Sequence, residues 1–282
     1  MTKRLVLIDI DNTLVNIDLG FDGCSADQIK IALRKAMSSG LTIGLHSDRP
    51  AFDLFAIHKN LGLNGPIIAE KGNILHFPPK WDMEPNQDHR FLMFQFLKTE
   101  LLNILLTEFS DIDVFVGKNQ KMFRFLAQNR PAENRKIVLI NNYRKLSLAF
   151  NVCEQDPESE NLCMNLVEQT AKIIRNLFTA IFEQEPTIEI YPATRACIIH
   201  LRDSHKRNSL PKLFRQYGAG HKIIMIGDSA FDFLGKDITH CAVENASAEY
   251  KALCNFIAQK DRTCGVIECL KWIQRGGHHG KR

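Results

Sequence analysis

Residues 4–13 read RLVLIDIDNT, and residues 222–232 read KIIMIGDSAFD. Each is a short run of Leu, Ile, Val and Met that ends abruptly in carboxylates. A fully apolar run of this length reads as a strand buried on both faces, which is the mark of a parallel sheet. In open sheets of that kind, ligands bind outside the carboxyl ends of the strands. Both acidic clusters therefore fall where chemistry is expected.

The neighbouring segments extend the pattern. Ser25 precedes a helical stretch from Ala26 to Met37, with Ile29, Ala32, Leu33 and Ala36 on one face and Gly40 as its stop. A strand follows at Leu41–Leu45, a helix at Ala51–Leu61 and a strand at Pro66–Ala69. Strand, helix, strand, helix, strand is the order of a doubly wound α/β sheet. From about Phe77 to Leu201 the order changes. Long helices at His89–Phe109 and Pro157–Phe182 are interleaved with strands near 113–116, 136–140, 146–152, 187–191 and 196–201. Strands arriving in adjacent pairs predict an antiparallel sheet backed by two helices. The alternating order then returns: a helix at 206–217, the strand at 222–226, a helix from Ala230, a strand at 241–243, and helices at 246–257 and 266–273. The expected architecture is an α/β core built from residues 1–76 and 202–275. An α+β domain at 77–201 interrupts it, and residues 276–282 form a disordered tail.

Asp9-Ile10-Asp11-Asn12-Thr13 read alone is compatible with an acidic loop, and Gly227-Asp228-Ser229-Ala230-Phe231-Asp232 with an acid-decorated helix start. Taken together, they place three or four carboxylates at one sheet edge. Such a group is costly without a cation between its members. Oxygen-only ligation fits Mg²⁺. Ser47, after the second strand, adds a hydroxyl, and Lys206 adds a positive charge. A nucleophilic carboxylate, a second acid, a hydroxyl, a lysine and metal-binding acids are the parts that phosphoryl transfer needs.

These residues resemble the four motifs of the haloacid dehalogenase-like (HAD) hydrolases, in their order and spacing: DxDxT at Asp9 to Thr13, Ser47, Lys206, and GDxxxD at Gly227 to Asp232. The likeness covers both core segments. The insert follows the third strand and Ile67-Ile68-Ala69-Glu70-Lys71-Gly72-Asn73, which resembles the Cof-type, or type IIB, subfamily and its α+β cap. The resemblance implies an HAD-like Rossmannoid core and Mg²⁺-dependent hydrolysis of a small phosphorylated metabolite, a sugar phosphate or phosphoglycolate-like compound. It implies Asp9 as nucleophile and Asp11 as acid and base. Ser47, Lys206 and Asn12 would bind phosphate. Asp9, the backbone carbonyl of Asp11, Asp228 and Asp232 would hold the metal. Arg49, Lys71, Asn245, Arg144 and Arg195 are the substrate-contact candidates. Two departures from the family pattern stand out: Phe231 where relatives often have Asn, and Lys71-Gly72 where they usually have Asn-Gly. A phosphomannomutase-like mutase and a non-catalytic sugar-phosphate-binding protein remain alternatives on the same scaffold.

The composition narrows the field. The chain has 282 residues, 45% of them hydrophobic, and a net charge of +4, which is an ordinary globular balance. The charge is too small for a dedicated nucleic-acid binder. The longest apolar runs are far below the roughly 20 residues that span a bilayer, so no membrane partner is expected. Asp9 and Asp11 interrupt the N-terminal apolar stretch too early for a signal peptide. The eight cysteines show no CxxC pair, and they are expected to be reduced thiols of a cytoplasmic protein.

Overall fold

A computed structural model describes residues 3–16, 20–21, 23–79, 89–109, 112–117, 136–153, 160–191, 196–218 and 220–276. The chain divides into two compact units, Met1–Met83 with His205–Arg282, and Glu84–Ser204.

The first unit is the α/β core. Its strands are β1 (Arg4–Ile8), β2 (Leu41–His46), β3 (Ile67–Ala69), β4 (Ile74–His76), β10 (Lys222–Gly227), β11 (Thr239–Ala242) and β12 (Phe256–Ile257), where the numbers 5–9 belong to the insert. They form one sheet in the order β12-β11-β10-β1-β2-β3-β4. All pairings are parallel except β3 with β4. Strand β1 is the switch point: β2 lies on one side and β10 on the other. Leu5 to Ile8 are fully buried. On one face, Leu5, Leu7, Ile68 and Met225 pack against Leu213. Helix α1 (Ala26–Ser38) opens on Ser25, whose side chain accepts from the Gln28 N–H while Gln28 reaches back. Helix α2 (Ala51–Leu61) closes on Gly62 in the left-handed region.

The insert carries a sheet in the order β5-β6-β7-β9-β8, with β5 (Ile112–Gly117), β6 (Lys136–Asn141), β7 (Leu148–Cys153), β8 (Thr187–Tyr191) and β9 (Ala196–His200). Its helices are α3 (His89–Glu108) and α4 (Glu160–Phe182). Phe94, Phe178 and Phe182 interlock, with ring centroids 4.2–5.9 Å apart. The expected antiparallel sheet is corrected in one place, because β5 and β6 run parallel. A parallel pair needs a long connection, and 18 residues (118–135) lie between these two strands. Pairwise arrival in sequence does not reveal that crossover.

Three core elements also differ from expectation. The helix expected from Ala230 is a single 3-10 turn, Ala230–Asp232. The Asp232 carboxylate accepts from the Asp228 and Ser229 N–H groups, so it closes the turn on itself. The helix expected at 246–257 is only Ala248–Leu253, here α6, and β12 follows it. Asn255 draws the chain to the sheet edge, donating to the His240 carbonyl and accepting from its N–H. The last helix starts earlier than expected, at Arg262, and runs to Gln274 as α7, after α5 at Leu210–Tyr217.

The cysteine expectation is also corrected. Cys24 and Cys264 form a disulfide that ties the loop before α1 to α7. The partners lie 240 residues apart, so no local spacing announces them. Cys197, Cys241, Cys254 and Cys269 are free thiols. Among the described residues, no helix is long and apolar enough to cross a membrane.

Candidate active site

Parallel pairing sets the site. Residues Arg4–Ile8 pair in register with Lys222–Ile226 on one side and Leu41–Leu45 on the other. The three strands therefore end together, and Asp9, Asp228 and Ser47 leave the sheet at one edge. The Asp9 N–H continues the ladder to the Ile226 carbonyl, and the Ser47 N–H reaches the Ile68 carbonyl.

Carboxylate oxygens of Asp9, Asp228 and Asp232 lie within 4.8 Å of one another. Lys206, on the 3-10 turn Lys206–Ser209, donates to Asp9 Oδ1 and Asp232 Oδ1, each at 2.5 Å. Asp9, Asp232 and Lys206 are all buried. Burial pushes the Asp9 carboxyl well above its usual range, Lys206 opposes this, and Asp232 and Asp228 push it further up. Burial and then Asp232 raise Asp228 to about 6. Burial works against the Lys206 ammonium, but the two carboxylates outweigh it and hold Lys206 charged. Three converging carboxylates against one ammonium leave a negative excess in a poorly hydrated place. A hard divalent cation corrects that excess, and the all-oxygen donor set suits Mg²⁺.

Gly227 is required here by close approach. A Cβ on it would lie 2.3 Å from Asp232 Oδ2. That space is filled by the Asp232 carboxylate. Thr13, which sequence reasoning left without a role, donates its hydroxyl to Asp228 Oδ1 at 3.1 Å and so joins the two acidic motifs.

Asp11 stands apart from this cluster. Arg49 grips it with Nε to Oδ2 at 2.8 Å and Nη2 to Oδ1 at 2.5 Å. Burial opposes the Arg49 charge, and the hydrogen bonds and charge of Asp11, together with the charges of Asp53 and Asp9, more than offset it. Arg49 is thus brought to the site, with its guanidinium on an acid. Ser47 is buried, and its Oγ accepts from the Arg49 N–H at 3.3 Å. Next to it, His46 is fully buried. Burial and then the Lys206 charge press its imidazole well below its usual range, so it is neutral.

Asn12 is exposed and has φ 58°, in the left-handed region that Asn tolerates. Asn245 braces this loop, donating from Nδ2 to the Asn12 carbonyl and accepting at Oδ1 from the Arg262 N–H. Both ends of its amide are therefore engaged with backbone. Lys71 is buried, and its ammonium lies 5.1 Å from the centroid of the Phe231 ring. In the insert, Arg144, a substrate-contact candidate by sequence, is buried, with Nη1 donating to Ser147 Oγ at 3.1 Å and its carbonyl accepting from Lys98. Arg195 lies outside the described residues.

Known proteins resemble this chain over nearly its whole length. A phosphoglycolate phosphatase of Thermoplasma acidophilum is 23% identical over 258 residues, covering 90% of this chain and 91% of that protein. One from Staphylothermus marinus is 22% identical over 273 residues, covering 96% and 97%. A haloacid dehalogenase-like hydrolase structure from Bacteroides thetaiotaomicron superposes with a TM-score of 0.62 at 16% identity, covering 96% of this chain and 99% of that one. The family described as haloacid dehalogenase-like hydrolase matches residues 6–270, and with its core interrupted by an inserted cap the chain belongs to that family of hydrolases.

Proposed function

We propose that the protein is a Mg²⁺-dependent phosphatase of a small phosphorylated metabolite, working through an aspartyl-phosphate. The observation that carries this reading is the buried Asp9 at the β1 end, bonded to Lys206 and sharing a carboxylate cluster with Asp228 and Asp232.

Asp9 Oδ attacks phosphorus in line, and the bond to the leaving alkoxide oxygen breaks. Asp11 gives that oxygen a proton. Asp11 then takes a proton from water, whose oxygen attacks phosphorus and breaks the bond to Asp9. Inorganic phosphate leaves, and both acids return to their starting states. Asp9, Asp228 and Asp232 would hold Mg²⁺, which would supply positive charge against the phosphoryl oxygens. Lys206 screens the repulsion between the Asp9 carboxylate and the incoming dianion. Ser47 offers its hydroxyl to a phosphoryl oxygen, and the Asn12 loop lies beside it. Both Asp11 oxygens accept from Arg49, so Asp11 parts from at least one guanidinium N–H before it carries a proton. An arriving phosphate is the natural competitor for that guanidinium.

Phosphate release from sugar phosphates, phosphoglycolate and nucleotides, in Mg²⁺ and in EDTA, tests the reading. Metal-dependent release that Asp9→Asn abolishes supports it. Transfer of the phosphoryl group to a sugar hydroxyl would replace it with a mutase, and binding without turnover would replace it with a sensor.

A further inference from the structure

Lys71 and Phe231 are the two places where the site motifs depart from the family pattern, and they touch. The contact is built deliberately by the backbone. Glu70, Lys71 and Gly72 have φ of 48°, 56° and 86°. Left-handed backbone costs a side-chain-bearing residue about 1–2 kcal/mol. The turn is wedged into place, because a Cβ on Gly72 would lie 3.0 Å from the Lys206 carbonyl and 3.1 Å from that of His205. The turn that carries Lys71 is thus packed against the backbone of the segment that supplies Lys206.

Neither residue is explained by solvation alone. Phe231 is 63% exposed, a poor use of a large ring in packing, whereas Lys71 is only 7% exposed, a poor use of an ammonium in solubility. Phe231 stands directly before Asp232 on the Ala230–Asp232 turn. The ring face attracts the ammonium and replaces part of its water. An ammonium so seated pairs more strongly with an arriving anion than one in bulk water does.

We propose that Lys71, seated on Phe231, forms a second anion subsite beside the reaction centre, so that the favoured substrates are phosphate monoesters carrying a further carboxylate or phosphate. The inference rests on the phosphatase reading and narrows its substrate class. The Phe231 ring gives the short carbon linker an apolar wall, while Lys71 meets the distal charge.

The test compares substrates that differ only in that charge. Phosphoglycolate is set against hydroxyethyl phosphate, and a sugar bisphosphate against its monophosphate, so that the carboxylate and phosphate sources are read separately. One charge-assisted contact makes the KM of the doubly anionic member about tenfold lower in the wild type. Lys71→Asn, which suits left-handed backbone, brings the KM ratio toward one. Lys71→Arg keeps most of the ratio, and Phe231→Leu lowers it in part. Melting curves of each variant establish folding. A ratio that is the same in wild type and in folded Lys71→Asn, with Mg²⁺-dependent release intact, overturns the subsite alone. Absence of Mg²⁺-dependent release from every substrate overturns the phosphatase reading and the subsite with it.

Discussion

Asp9 and Asp11 are two residues apart on one strand end, yet each has met a different cation in a different medium. The Asp9 and Lys206 side chains are 8% and 7% exposed, whereas Asp11 and Arg49 are 48% and 20% exposed. The inner pair belongs to a cluster of acids that water barely reaches. The outer pair is half in solvent and held by a planar fork. The contrast suits the two duties proposed for these acids. A nucleophile needs a fixed position against phosphorus, and a proton carrier needs access to water and freedom to change partners.

The largest effects separate the two acids by rate. Asp9→Asn removes the attacking oxygen and lowers phosphate release by about a thousandfold or more. Asp11→Asn spares the attack but not the proton transfers, and costs about a hundredfold to ten-thousandfold. A phosphoenzyme trapped by acid quench in the second variant and absent in the first would sharpen the comparison. Equal residual rates in both would break it.

Stability separates the two cations next. Lys206→Met leaves two buried carboxylates facing each other and costs about 3–5 kcal/mol in EDTA, less with Mg²⁺. Arg49→Met opens a half-exposed pair and costs at most about 1 kcal/mol. Denaturant melts of both variants measure this, and equal losses would contradict the burial argument.

A smaller effect is the pH dependence of metal binding. Asp228 is raised to about 6 in the fold from an ordinary 3.8. Between those values the metal-free folded state binds more protons than the unfolded chain, so its stability falls as pH rises through the window. Mg²⁺ requires the deprotonated form and reverses that penalty. The rise in melting temperature on adding Mg²⁺ is therefore largest at neutral pH and fades as pH falls below about 6. A metal shift independent of pH would remove Asp228 from the metal set.

The smallest effect lies behind the site. Burial lowers His240 from 6.5 to about 4, and its Nε2 accepts from the Leu234 N–H. The unfolded chain binds the extra proton between those values. The His240 contribution is therefore complete above 6.5 and is lost as pH falls toward about 4. His240→Gln flattens the acid limb of the melting profile, and an unchanged limb would contradict this role.

Much of this was legible in the chain because it is local. The apolar runs before Asp9 and Asp228, the Ser25 cap and the glycine stops are short-range signals, and parallel strands deliver their end residues to one edge. From that rule the placing of the acids and Ser47 at one edge followed, and the oxygen-only donor set pointed to the type of metal. The exact ends of elements were less legible where a side chain competes with the backbone, as Asp232 does in closing its turn and Asn255 in pulling β12 to the sheet.

What only the tertiary structure decided are the pairings between distant segments. Arg49 takes Asp11, Lys206 bridges Asp9 and Asp232, Thr13 reaches Asp228, Cys24 joins Cys264, and Lys71 lies on Phe231. Arg144, a substrate-contact candidate by sequence, is buried against Ser147. The physical reason is one of range. Hydrophobic period and caps act over a few residues and are written along the chain, whereas charge pairing and burial depend on distance in space, which exists only after folding.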